Sequence, residues 1–156
     1  MNARARRVYA AKWFMCAASI ACALILAVFL INEPPASIPE FLLNALVIFA
    51  APVIAAGAWG ASLGATILDP VMTRSVGRAA LRGLAVAGAS FLSYLFTVSF
   101  CLAVLGFNPR GGVVTVFILL SLYGSILVGW LVGAVGALAG ALLYKKIGSD
   151  RAATGE

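Results

Sequence analysis

The stretch VVTVFILLSLYGSILVGWLVGAVGALAGALLY, residues 113–144, holds no charged side chain and is longer than one membrane crossing requires. A helix needs about 20 residues to cross a hydrocarbon core of about 30 Å. Three earlier apolar runs also have about the length needed for one crossing or more, at residues 13–31, 41–68 and 79–106. We therefore predict an all-α integral membrane protein, a four-transmembrane-helix bundle that occupies residues 1–156 as a single membrane domain.

The composition supports a membrane rather than a water-soluble class. The chain is 63% hydrophobic and 10% charged, with a mean hydropathy of +1.09. A soluble domain carries about a quarter charged residues. The net charge of +6 lies at the ends of the apolar runs, so we expect anionic lipid headgroups as the partner of these charges and no nucleic acid.

The basic residues are distributed unequally between the two sides of the predicted bundle. A basic arm, 1–12, has four Lys or Arg, the segment 69–82 has three and the tail 145–156 has three, whereas the other two loops have only Arg110. Cytoplasmic loops carry the excess of Lys and Arg. Both termini are therefore predicted to be cytoplasmic, and the Arg-, Ala- and Gly-rich composition favours a bacterial inner membrane.

Glycines recur at helical spacing in the second and fourth runs. Lipid gives no hydrophobic gain when helices meet, so close approach at small residues, as in G-x-x-x-G, supplies the packing energy. Two interpretations remain open: packing inside one bundle, or an interface that forms a homo-oligomer or a larger membrane complex. The predicted packing residues are Gly57, Gly60, Gly64, Gly129, Gly133, Gly136 and Gly140.

The two glycine-rich runs also share a pattern. The motif G-A-x-G-A-x-x-G-A begins at Gly57 and again at Gly133, and the same offset aligns Arg6 with Arg82. This predicts a tandem repeat of two helical hairpins, related by an axis along the membrane normal. Coincidence in a chain rich in Gly and Ala is the alternative.

Two sets of polar side chains are candidate sites. Arg74, Arg78 and Arg82 recur every four residues, so one helix would align them to bind lipid headgroups or an acidic partner; ordinary topogenic charges are the alternative. A second set lies in the third run and would line a polar path or bond to backbone carbonyls. Its members are Ser90, Tyr94 and Thr97.

The residues expected of a catalytic or metal site are missing from the apolar runs. The chain has no His, its three cysteines form no C-x-x-C, and every acidic residue lies at the end of a run or outside it. A site inside a bilayer is marked by an ionisable residue at depth. We therefore predict no catalytic residue, metal or cofactor. The predicted function is a non-enzymatic scaffold or accessory subunit, and a small oligomeric transporter or channel subunit is the alternative.

Overall fold

A computed structural model describes residues 2–32, 38–69, 71–104 and 112–154. Every described element is a helix, so the predicted all-α class is confirmed for this part of the chain. The two loops opposite the basic segments fall mainly in 33–37 and 105–111, outside the described residues. The elements are α1 (Ala3–Asn32), α2 (Ile38–Ser62), a 3-10 helix (Gly64–Leu68), α3 (Val76–Val104), α4 (Gly112–Gly124), a π turn (Ser125–Gly129) and α5 (Trp130–Thr154).

Among the residues that the structure describes, three segments are long and apolar enough to cross a membrane. They are Ala3–Ala27, Val76–Leu102 and Trp130–Ser149, and Phe49–Ser62 is a shorter apolar helix. The finding fits a membrane helical bundle.

The helix bounds differ from the predicted runs at the charged ends. Helix α1 begins at Ala3, because the side chain of Asn2 accepts a 2.8 Å hydrogen bond from the Ala5 N–H and caps the first turn. The basic arm is therefore the first part of α1. Helix α2 ends at Ser62, and the run continues only as the 3-10 helix.

Glycines hold α2 against α1. A Cβ added at Gly57 would lie 2.8 Å from Met15 Cγ, and one at Gly60 would lie 3.0 Å from Phe14 Cβ. Gly64 in turn faces Phe14 and Ala10. Because later residues of α2 meet earlier residues of α1, the two helices are antiparallel.

Helices α3 and α5 approach even more closely, at backbone distance. A Cβ at Gly83 would overlap the carbonyl oxygen of Gly136 and lie 2.9 Å from Gly140 Cα. A Cβ at Gly140 would overlap the carbonyl oxygen of Ala79, and one at Gly136 would overlap Ala87 Cβ. The glycines are thus required by the close backbone approach, and α3 and α5 are antiparallel.

The hydrophobic core joins α1, the 3-10 helix, α3 and α5. It includes Ala10 of α1, Ile67 of the 3-10 helix, Ala79 of α3 and Leu143 of α5. The Trp13 indole N–H donates to Ala139 O at 2.9 Å and links α1 to α5 there. We call this part of the bundle the basic end, because its elements carry Arg4, Arg6, Arg7, Lys12, Arg74, Arg78, Arg82, Lys145 and Lys146.

The α3–α5 contact predicts opposite effects for two alanine substitutions on one helix. Gly83→Ala places a methyl group into backbone atoms, whereas Gly88 has nothing within 4 Å of an added Cβ. We expect Gly83→Ala to destabilise by about 1–3 kcal/mol through overpacking. Gly88→Ala should be neutral or stabilising by up to about 1 kcal/mol, the gain in helix propensity. SDS-induced unfolding in detergent micelles, followed by circular dichroism, measures both. Equal effects would contradict the close approach.

Candidate functional site

Arg82 binds the segment that connects the 3-10 helix to α3. Its guanidinium donates to Thr66 O at 2.6 Å, to the Thr73 hydroxyl and to Met72 O at 3.0 Å. The Thr73 hydroxyl donates in turn to Thr66 O at 2.9 Å, and Thr73 is 2% exposed. Thr66 O also accepts the Asp69 backbone N–H at 3.3 Å, so the guanidinium adds a charged donor to a carbonyl at the end of the 3-10 helix.

Arg6 binds the same segment from α1. Its Nη1 lies 2.9 Å from Asp69 Oδ2, and Asp69 Oδ1 accepts a 3.0 Å hydrogen bond from the Val71 N–H. The Val71 N–H and the Arg6 guanidinium lower the pKa of Asp69 below its ordinary value of 3.8. Asp69 is therefore ionised at neutral pH, and the ion pair persists there.

The three predicted headgroup-binding arginines do not form one face. Helix α3 begins at Val76, so Arg74 precedes the helix. Arg78 is exposed, whereas Arg82 is directed to the connecting segment. The expected alignment fails because Arg74 is outside the helix and because Arg82 donates to the carbonyls of Thr66 and Met72. Arg74 instead borders a cavity of about 180 Å³ beside Tyr144.

A larger cavity, of about 570 Å³, lies between α1, α2, α3 and the continuous α4–α5 helix. The side chains described in its lining are apolar except for Cys22, Ser90 and Tyr94. This volume is in the range of small-molecule sites in proteins. The interior of the bundle therefore has room for an uncharged ligand.

The predicted polar path is only partly brought together at this cavity. Ser90 and Tyr94 border it, but Thr97 is exposed. The Ser90 hydroxyl donates to Val86 O at 2.7 Å and the Thr97 hydroxyl donates to Ser93 O at 2.9 Å. Both hydroxyls thus bond to carbonyls of their own helix, as hydroxyls in membrane helices often do.

The remaining two predicted packing glycines are placed differently from the others. Gly133 faces Leu84, with 3.1 Å between an added Cβ and Leu84 Cδ1. Gly129 lies in the π turn, and the atoms nearest an added Cβ belong to its own helix, with Ser125 Cβ at 3.4 Å. Gly129 therefore makes no close interhelical contact among the described residues.

Several pairs of residues that line the cavity are separated in sequence by the same number of positions as the two glycine motifs. This offset takes Gly57 to Gly133, and it also relates the two arginines that bind the connecting segment, Arg6 and Arg82. Four pairs at the same offset border the cavity: Phe14 and Ser90, Ala18 and Tyr94, Pro52 and Val128, and Ala56 and Val132.

Sequence reasoning missed the cavity itself. Its walls combine small residues such as Ala17, Ala18 and Ala21 with Pro52 and with the π turn. Pro52 is visible as a helix irregularity in the sequence, but a π turn has no comparable signal. π turns occur frequently at functional sites, and this one is visible only in the structure.

Within the described ranges, no three His, Cys, Asp or Glu side chains come together in a geometry able to hold a metal ion. Comparisons of the chain with protein-family models, with curated proteins and with solved structures gave no match.

The inward position of Arg82 predicts a stability difference between two arginines that are one helical turn apart. Arg82→Gln removes a charged donor from Thr66 O and Met72 O, and we expect it to destabilise by about 1–3 kcal/mol. Arg78→Gln alters an exposed side chain and should change stability by less than about 0.5 kcal/mol. Unfolding in detergent, followed by tryptophan fluorescence, measures both, and equal losses would contradict the distinct role of Arg82.

Proposed function

We propose that the chain is a small, non-enzymatic integral membrane protein that acts as a scaffold or accessory subunit, associating with itself or with a larger membrane complex. The observation that carries this proposal is the position of Trp130. Its side chain is 68% exposed on the outer surface of α5, within a segment apolar enough to span a membrane.

The depth of Trp130 makes exposure to lipid unfavourable. It precedes Lys145 by 15 residues on the same helix, which corresponds to roughly 22 Å along the axis. The indole therefore lies inside a hydrocarbon core of about 30 Å, away from the interfaces that tryptophan prefers. The other two indole N–H groups donate to Ala139 O and to Ser93 Oγ. A partner protein with a hydrogen-bond acceptor would provide such a bond for the indole N–H of Trp130.

Two neighbours extend this exposed surface. Tyr123 is 66% exposed and Ile126 is 73% exposed, and both lie within two turns of Trp130 on the same continuous helix. We call these three residues the Trp130 strip. Aromatic residues dominate the binding energy of protein interfaces, which favours this strip over the glycine seams, since most of the predicted glycines pack inside the bundle.

The non-enzymatic part of the proposal rests on the bundle interior. The described cavity lining has no acidic or basic side chain, and the Lys and Arg residues of the described elements lie at the basic end. An intramembrane reaction or an ion-coupled carrier would need such a group at depth. The alternative, a transporter or channel subunit, draws on the cavity beside Ser90 and Tyr94, but the bonding of Ser90 to its own helix favours packing.

The proposed placement has four membrane-spanning helices with the basic end in the cytoplasm of a bacterial inner membrane. Trp13 contacts Ala139, and Lys146 Nζ lies 5.5 Å from the centroid of the Trp13 ring, so the start of α1 is beside the later part of α5. Lys and Arg gather on cytoplasmic sides. There the exposed Arg74 and Arg78 are available to anionic headgroups.

A tandem duplication of two hairpins is part of the same proposal, and burial supports it. At the offset that links the glycine motifs, Gly60 and Gly136 are both buried, and so are Gly64 and Gly140. Pairs on the outer surfaces match as well: Ala50 with Ile126, Ile54 with Trp130, Ala58 with Ala134, and Ser62 with Leu138 are all exposed.

The duplication supplies a matched control for the partner surface. Ile54 is the repeat equivalent of Trp130 and is 66% exposed. We expect Trp130→Ala to weaken self-association or co-purification of a partner by about 2 kcal/mol or more, the loss typical of an interface hot spot, whereas Ile54→Ala should leave it unchanged. Native mass spectrometry after mild-detergent extraction measures the assembly. A wild-type chain that is monomeric and alone, and that gives selective flux in liposomes, would replace the scaffold with the transporter.

The proposed topology predicts that both termini are reached from one side. Single-cysteine tags fused before Met1 and after Glu156, in a background with Cys16, Cys22 and Cys101 replaced by Ala, should react with an impermeant maleimide only after the inner membrane is opened. Labelling of only one terminus in intact spheroplasts would contradict the even number of crossings, and labelling of both would contradict the cytoplasmic orientation.

A further inference from the structure

On one side of the larger cavity, the two neighbouring helices do not pack against each other. Helix α1 packs on α2 and on α5, α4 packs on α3, and α2 packs on α3. The α1–α5 link lies at the basic end, at Trp13 and Ala139. In the described part of the chain, the gap between α1 and α4 is therefore the side on which the cavity faces the surrounding bilayer.

The lining selects an occupant that is apolar along its length. Residues such as Ala21, Phe91 and Val132 border the space, and the Ser90 hydroxyl is already paired with Val86 O. A charged or strongly polar ligand would lose its hydration without a replacement. Among the described lining residues, Tyr94 carries the one aromatic hydroxyl.

The cavity is too small to enclose a partner helix. A helix with its side chains is about 10–12 Å wide with a 5.4 Å pitch, so each turn fills roughly 400–600 Å³. The cavity of about 570 Å³ holds about one turn, whereas a membrane-spanning helix of about 20 residues has more than five. A hydrocarbon chain is far thinner and fits the space lengthwise.

We propose that the cavity binds one acyl chain of a bilayer phospholipid, which enters between α1 and α4. In lipid the gain is not hydrophobic transfer but van der Waals contact, since an empty cavity leaves its lining atoms without partners on one side. The acyl chain supplies the packing that Ala18, Ala21 and Ala56 are too small to provide across the bundle. This site is independent of the Trp130 strip.

Photolabelling in vesicles tests the site directly. The purified full chain is reconstituted into phosphatidylethanolamine and phosphatidylglycerol vesicles, in which a fraction of the phosphatidylglycerol carries a diazirine within one acyl chain. After irradiation, labelled residues are mapped by peptide mass spectrometry. Cavity residues such as Ala21 and Val132 should be labelled at least as strongly as Ile20, which is 57% exposed to the bilayer. Labelling confined to exposed residues would overturn the proposal.

A matched pair of variants on α1 adds a second criterion. Ala18 borders the cavity, whereas Ala23 is exposed on the same helix. Ala18→Phe should fill the space and lower labelling of Val132 by about tenfold, a change worth about 1.4 kcal/mol, and Ala23→Phe should not. Circular dichroism checks that both variants fold. If either does not fold, the positions labelled in the wild-type protein alone test the proposed site. Labelling of Val132 that survives in a folded Ala18→Phe variant would count against the site, as would capture of a second copy by a photoreactive group at Val132.

Discussion

The backbone contact between α3 and α5 is the constraint on which the bundle depends. A membrane supplies no hydrophobic force between helices, so stability comes from the number of atoms in contact and from hydrogen bonds. Gly83, Gly136 and Gly140 bring two backbones together with no Cβ between them. The same principle acts between α1 and α2, where Gly57 and Gly60 accept the larger Met15 and Phe14 side chains. Two tight antiparallel pairs result, one built backbone to backbone and one built side chain to backbone.

The basic end joins these two pairs, and its charges have a structural as well as a topological role. The segment between α2 and α3 leaves helical geometry after Leu68, and the carbonyls of Thr66 and Met72 on either side of this break accept side-chain donors. Arg82 supplies them from α3, and Arg6 fixes Asp69 from α1. One helix from each pair therefore binds the same segment. Arginine suits this position because its planar fork donates to several carbonyls while it stays charged.

The sequence predicted the helical class, the apolar runs and the glycines, because hydropathy and spacing act locally along one helix. It could not predict the direction of Arg82, since this depends on where the carbonyls of Thr66 and Met72 lie after the run before it breaks into a 3-10 helix. The sequence could not predict the cavity either. It depends on the sum of side-chain volumes from four helices and on a π turn at Ser125–Gly129, and neither leaves a periodic signal. The offset between the glycine motifs was visible, but its correspondence with burial required the structure.

The division of small and large residues explains why one bundle has both an internal space and an outward aromatic strip. Most of the predicted packing glycines are used within the two pairs, so little small-residue surface remains for packing between the pairs. There the contacts are α2 with α3 and, at the basic end, α1 with α5. Away from that end, Pro52 and the π turn both border the cavity, and each departs from regular helical geometry. Bulky side chains, with Trp130 the largest on α5, then face outward. Tight pairing within each hairpin thus leaves a space between the hairpins, where we propose a lipid chain, and an outer surface, where we propose a partner.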